Sequence, residues 1–160
     1  MNRQLVRRFL TRRAIAFAGA FAALGCGDKG AVTLTAQILN PTLSTQSVAL
    51  GTSLNGSFEL RLDLGPEASN STTVTPGAFA VRNASGEVTK VSVSFDSPPP
   101  YELSKGGSKS VTGTLDATKL VDAQLRDALC AGQVWYAATL TDTLSGNTTA
   151  QSAAFSPTCN

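Results

Sequence analysis

From Ala31 to the C-terminus, apolar and polar residues alternate with a period of two, and no other feature restricts the fold so strongly. The clearest run is Phe58, Leu60, Leu62 and Leu64, separated by Glu59, Arg61 and Asp63. Successive side chains of a strand point to opposite faces. Such a run therefore buries one face and wets the other, as antiparallel sheets do. Residues 32–38, 91–95, 111–115 and 134–140 repeat the pattern, and residues 78–82 and 148–155 carry weaker versions of it.

The punctuation between the runs agrees. Asn83-Ala84-Ser85-Gly86 and Leu144-Ser145-Gly146-Asn147 are hairpin turns by composition. Pro98-Pro99-Pro100 ends a strand, because proline has no N–H for the ladder. One segment departs from the period. After Asp116, a good N-cap, Leu120, Val121, Leu125, Ala128 and Leu129 share a helical face, with Asp122 and Arg126 spaced i,i+4. The spacing predicts a short helix over about 117–129, a lid on the core before the penultimate strand. Around seven strands with recurrent turns predict an all-β domain over 31–160, an antiparallel two-sheet sandwich of immunoglobulin type.

Charge is concentrated at the other end of the chain. Of 13 Lys+Arg, five arginines (3, 7, 8, 12 and 13) precede an uncharged run at 14–24, AIAFAGAFAAL. Eleven apolar residues are too few to span a bilayer, which takes about 20. A basic segment followed by a short apolar run describes an export signal. The run ends in Ala23-Leu24-Gly25-Cys26, which resembles the lipobox of bacterial lipoproteins. The resemblance implies a signal peptide over 1–25, cut before Cys26, and a diacylglyceryl group on the Cys26 thiol. It also implies an acyl chain on the new amino group and a lipidated tether over 26–30. Thr11-Arg12-Arg13 is similar to a twin-arginine export signal. Ordinary cleavage after Ala20-Phe21-Ala22 is the other processing route, and it would release a soluble protein.

The remaining cysteines bear on that choice. Cys130 and Cys159 are nearly equidistant from the turn at 144–146, so a hairpin there brings them together. In an exported protein this predicts a disulfide at the base of the hairpin. Cys26 is then the odd cysteine, used by lipidation and left as a free thiol by ordinary secretion.

Chemistry is signalled only weakly. There is no histidine, which excludes Ser-His-Asp and Cys-His pairs and histidine metal sites. No DxDxDG loop and no CxxC occurs, so no metal and no cofactor is expected. Residues 25–30, GCGDKG, match a dinucleotide fingerprint by letter but lack the preceding strand and following helix. Glu59 and Asp63 flank Arg61 on the outward face of their run, either as an acid pair or as ordinary strand decoration. Trp135 lies opposite Tyr136 in its run: exposed, it is a candidate partner contact; shifted by one register or covered by the helix, it is core. Beyond Cys26 the chain keeps eight basic and eleven acidic residues, which excludes nucleic acid as a partner.

Taken together, the residues predict a lipid-anchored module of the bacterial envelope that binds or positions a partner without catalysis. Its partners would be membrane lipid through Cys26 and a protein or polysaccharide. Its domain would lie in the periplasm or at the cell surface, with the outer membrane preferred to the inner. A surface adhesive or polysaccharide-binding domain is the alternative, and a carboxylate-only hydrolase is a third.

Overall fold

The computed structural model describes residues 34–49, 51–116 and 120–160. Along the chain run β1 (Leu34–Val48), β2 (Gly51–Leu64), β3 (Thr72–Asn83), β4 (Gly86–Val91), β5 (Val93–Phe95) and β6 (Tyr101–Leu103). They are followed by β7 (Ser108–Leu115), β8 (Leu120–Val121), α1 (Ala123–Cys130), β9 (Trp135–Asp142), β10 (Gly146–Gln151) and β11 (Thr158–Cys159). The strands form two sheets. The first has the order β11-β1-β2-β7-β5, with β8 also on β2; the second has the order β10-β9-β3-β4, with β6 also on β3. Pairing is antiparallel except between β1 and β11. The domain is an all-β two-sheet sandwich, as the period of two requires.

The inward residues of the alternating runs make the core. Leu60 and Leu62 of β2 and Tyr136 and Leu140 of β9 are fully buried, while Glu59, Arg61 and Thr139 on the intervening positions meet solvent. Each such side chain contributes about 1.5–3 kcal/mol by leaving water. Phe58 joins the sheets, with its ring centroid 5.4 Å from that of Phe79 and 5.1 Å from that of Tyr136. The buried Tyr136 hydroxyl donates to the Thr42 carbonyl at 2.7 Å, and burial raises its pKa. Tyr101 donates to the Ser97 carbonyl at 2.9 Å, and burial, with the nearby Asp96 charge, pushes its phenol up to about 12.

Four expectations need correction. Residues 91–95 are not one strand: Val91 pairs with Phe79 in the second sheet and Val93 with Leu115 in the first, so the chain changes sheets at Ser92. The helix begins later than 117. Leu120 and Val121 pair with Ser53 and Thr52 as β8, and the extended Asp122 is the N-cap, accepting from the Leu125 N–H at 2.7 Å. Leu129 is the buried residue of the helix. The run at 148–155 ends as a strand at Gln151, because the Ser152 hydroxyl takes the Tyr136 N–H at 3.0 Å in place of a ladder carbonyl. Finally, β1 and β2 continue through residues 42–57, where polar residues hide the alternation; Asn40, at φ 50°, lies in the bulge that precedes this extension.

That extension passes close to Tyr136. A Cβ on Gly56 would come within 2.6 Å of the Thr42 carbonyl oxygen that the Tyr136 hydroxyl uses. Gly56→Ala, a change that ordinarily favours an extended strand, should here cost about 1–3 kcal/mol. A lowered urea midpoint with an unchanged m-value would show it, and an unchanged midpoint would refute the crowding.

Candidate functional site

The residues with chemical potential lie in four separate places. On the outward face of the first sheet, Arg61 Nε is 3.0 Å from Asp63 Oδ2, and Glu59 accepts from Asn40 Nδ2 at 3.4 Å. Each carboxylate has its own partner, and the exposed ion pair adds about 0–1 kcal/mol. They do not form an acid pair. Among the described residues no group of three or more His, Cys, Asp or Glu could hold a metal ion. Cys26 lies outside the described residues.

The second place is the end of β9, where Asp142 is a buried carboxylate that sequence reasoning passed over. Burial pushes its carboxyl up. Hydrogen bonds from the Ser145 hydroxyl, the backbone N–H groups of Ser145 and Leu144, and the Thr72 hydroxyl outweigh that effect, and the net shift is downward. The N–H of Leu144 lies at 2.9 Å and that of Ser145 at 2.7 Å, so Asp142 folds the β9–β10 turn around itself. Its local signal was present, since an Asp with Ser-Gly three residues on, as in Asp142-Thr143-Leu144-Ser145-Gly146, marks a side chain that bonds its own turn. With all its acceptors occupied, it is a structural group rather than an acid or base.

The third place is the cysteine pair. Cys130, the last residue of α1, is bonded to Cys159 of β11, with the Cα atoms 6.1 Å apart. The pairing is the expected one, but its setting differs. Val134 and Phe155 still pair as the base of the hairpin, after which the chain crosses to the first sheet, where Thr158 and Cys159 lie parallel to Ser44 and Thr45. The disulfide therefore ties the helix, which touches β4 of the second sheet and β2 of the first, to an edge strand of the first sheet.

The fourth place is the outward face of the second sheet. Trp135 is half-buried there, in register with Arg82, and Arg82 is in register with Glu87. In the next row Gln151, Ala137, Ala80 and Lys90 face one another across four strands. The alanines leave a shallow trough between the long side chains, about 280 Å³ in volume. Pockets that enclose small ligands hold about 300–1,000 Å³, and this one lies at the lower edge of that range. Arg82 and Lys90 are exposed, and neither makes an ion pair among the described residues. The sequence singled out Trp135 but not its neighbours. Arg82 and Lys90 come from a hairpin whose two strands carry charge on the same outward face, a relation that only the register reveals.

Comparison with family models, with curated proteins and with solved structures found no match to this chain.

Two outcomes follow from these contacts. The Cys130→Ser, Cys159→Ser double variant should lose roughly 3–4 kcal/mol of stability, the chain-entropy value for a loop of this size; an unchanged denaturation midpoint would show that the bond constrains nothing. The native Asp142 carboxyl titrates below its ordinary value of 3.8. Its stabilisation is therefore complete above that value and disappears as pH falls through the lower native one. Asp142→Asn should cost about 1–3 kcal/mol at neutral pH, and the gap to the native protein should narrow in acid. Denaturant titrations at both pH values read this directly, and a gap independent of pH would contradict it.

Proposed function

We propose that this chain is a lipid-anchored bacterial envelope lipoprotein whose immunoglobulin-type domain binds or positions a partner without catalysis. The observation that carries this reading is the pairing of Cys130 with Cys159. It leaves Cys26 as the one cysteine outside a disulfide, next to Gly25 at the end of the short apolar run. Lipidation uses that thiol, whereas ordinary secretion leaves it odd and reactive. One acyl chain holds a protein to a bilayer only marginally, whereas two or more hold it stably.

The strand order supports the immunoglobulin-type assignment. β1, β2, β7 and β5 follow the order A-B-E-D, and β10, β9, β3 and β4 follow G-F-C-C′. β6, β8, α1 and β11 are additions to that plan. β1 begins at Leu34, eight residues after Cys26, a span of roughly 26–29 Å at full extension. The Leu34↔Leu64 end of the sandwich would then face the membrane, and the β1–β2 tip, α1 and Trp135 would point away from it. An outer-membrane address, with the domain in the periplasm or at the cell surface, completes the proposal.

Cell fractionation tests the anchor. Cys26→Ser should shift the protein from the membrane to the soluble fraction, and unchanged membrane partition would overturn the reading. Non-reducing peptide mapping should recover a Cys130–Cys159 linked pair. A disulfide containing Cys26 would reverse the processing argument.

A further inference from the structure

The trough on the second sheet combines features that a plain solvated face does not need. Its floor is Ala80 and Ala137, and Ala80 is buried although it points outward, because longer side chains stand over it. Trp135, half-buried, does not line the trough itself but stands in register with Arg82 in the neighbouring row of the same face. The domain is acidic overall, and Arg61 and Arg126 are held in ion pairs with Asp63 and Asp127. Among the described residues Arg82 and Lys90, like Lys105 and Lys109 elsewhere, are in no ion pair, and they lie on neighbouring strands of this face with a single acid, Glu87. Four strands about 4.8 Å apart make the row from Gln151 to Lys90 roughly 14 Å wide.

We propose that this face binds an extended anionic polysaccharide. A sugar ring would lie against the Trp135 indole, its carboxylates would meet Arg82 and Lys90, and its hydroxyls would meet Gln151. Arg82 presents the planar fork that matches a carboxylate. An acidic peptide fits less well. β3 and β9 spend backbone groups on each other, so the face offers a peptide no strand addition, and the alanine floor has no deep pocket for side chains. This inference rests on the reading of the domain as a binding module, but its test is independent of the anchor.

The experiment uses the full-length purified protein in detergent, with polygalacturonate, dextran and poly-glutamate as immobilised probes. Polygalacturonate should retain the protein more strongly than either other polymer, and raising the salt should weaken retention. Arg82→Ala, Lys90→Ala and Trp135→Ala should each weaken it about tenfold. Trp135→Phe should keep most of it, which separates loss of the ring from loss of the fold. Glu87→Gln should tighten retention by removing a repelling charge, and Glu59→Ala on the opposite sheet should leave it unchanged. No retention on polygalacturonate, or retention insensitive to the Arg82 and Lys90 substitutions, would overturn the proposal. Equal retention on dextran would remove its anionic character, and equal retention on poly-glutamate would assign the face to acidic polypeptide instead. Membrane fractionation of Cys26→Ser reads the anchor separately, so either idea can fail alone.

Discussion

The contact of Phe58 with Phe79 and Tyr136 across the sandwich sets the relation between the two sheets. Phe58 belongs to the central strand of the first sheet, and the other two rings belong to the central pair of the second. Offset and tilted aromatic pairs add about 0.5–1.5 kcal/mol beyond the area they bury. The rings also demand space. Gly113 on β7 lies against the Phe58 ring, where a Cβ would come within 2.7 Å of it, so the neighbouring strand gives up a side chain to admit the ring. Tyr136 adds a polar end: its hydroxyl reaches the Thr42 carbonyl on the irregular part of β1, and the backbone group left free by the bulge is satisfied inside the protein.

The margins of the sandwich are handled by crossing between sheets. At Ser92 the chain leaves the second sheet for the first, and after Gln151 it makes the same change at the opposite edge. The second crossing is stitched at several points: Ser152 to Ile38, Phe155 to Val134, and β11 to Ser44 and Thr45. A two-residue strand contributes few hydrogen bonds of its own. The Cys130–Cys159 bond fastens it to the helix, which in turn seats Leu129 in the core. A domain of this size with few aromatic residues thus joins a hydrophobic centre to a covalent fastening at one end.

Much of the candidate chemistry was legible locally and much was not. The cysteine pairing could be read because the two residues are symmetric about a recognisable turn. Trp135 stood out because it adjoins another large ring, Tyr136, and alternation forces the two to opposite faces. Arg82 and Lys90 carried no such signal, since their proximity to Trp135 depends on pairing between β3, β4 and β9. The helix boundary was misplaced for a related reason. Leu120 and Val121 satisfy a helical spacing, but Thr52 and Ser53 compete for their backbone groups, and the ladder takes them.

The sequence alone determined the class of fold, because a side-chain period of two can bury its apolar face only in a sheet. It also determined the turns and the cysteine partners, which depend on neighbours or on symmetry about a turn. The tertiary structure decided which sheet each strand joins, where one alternating run divides between two sheets, and which polar stretches become strands. It also decided which charged side chains gather around Trp135. Those outcomes depend on pairing between residues distant in sequence, and a one-residue change of register would exchange the faces they occupy.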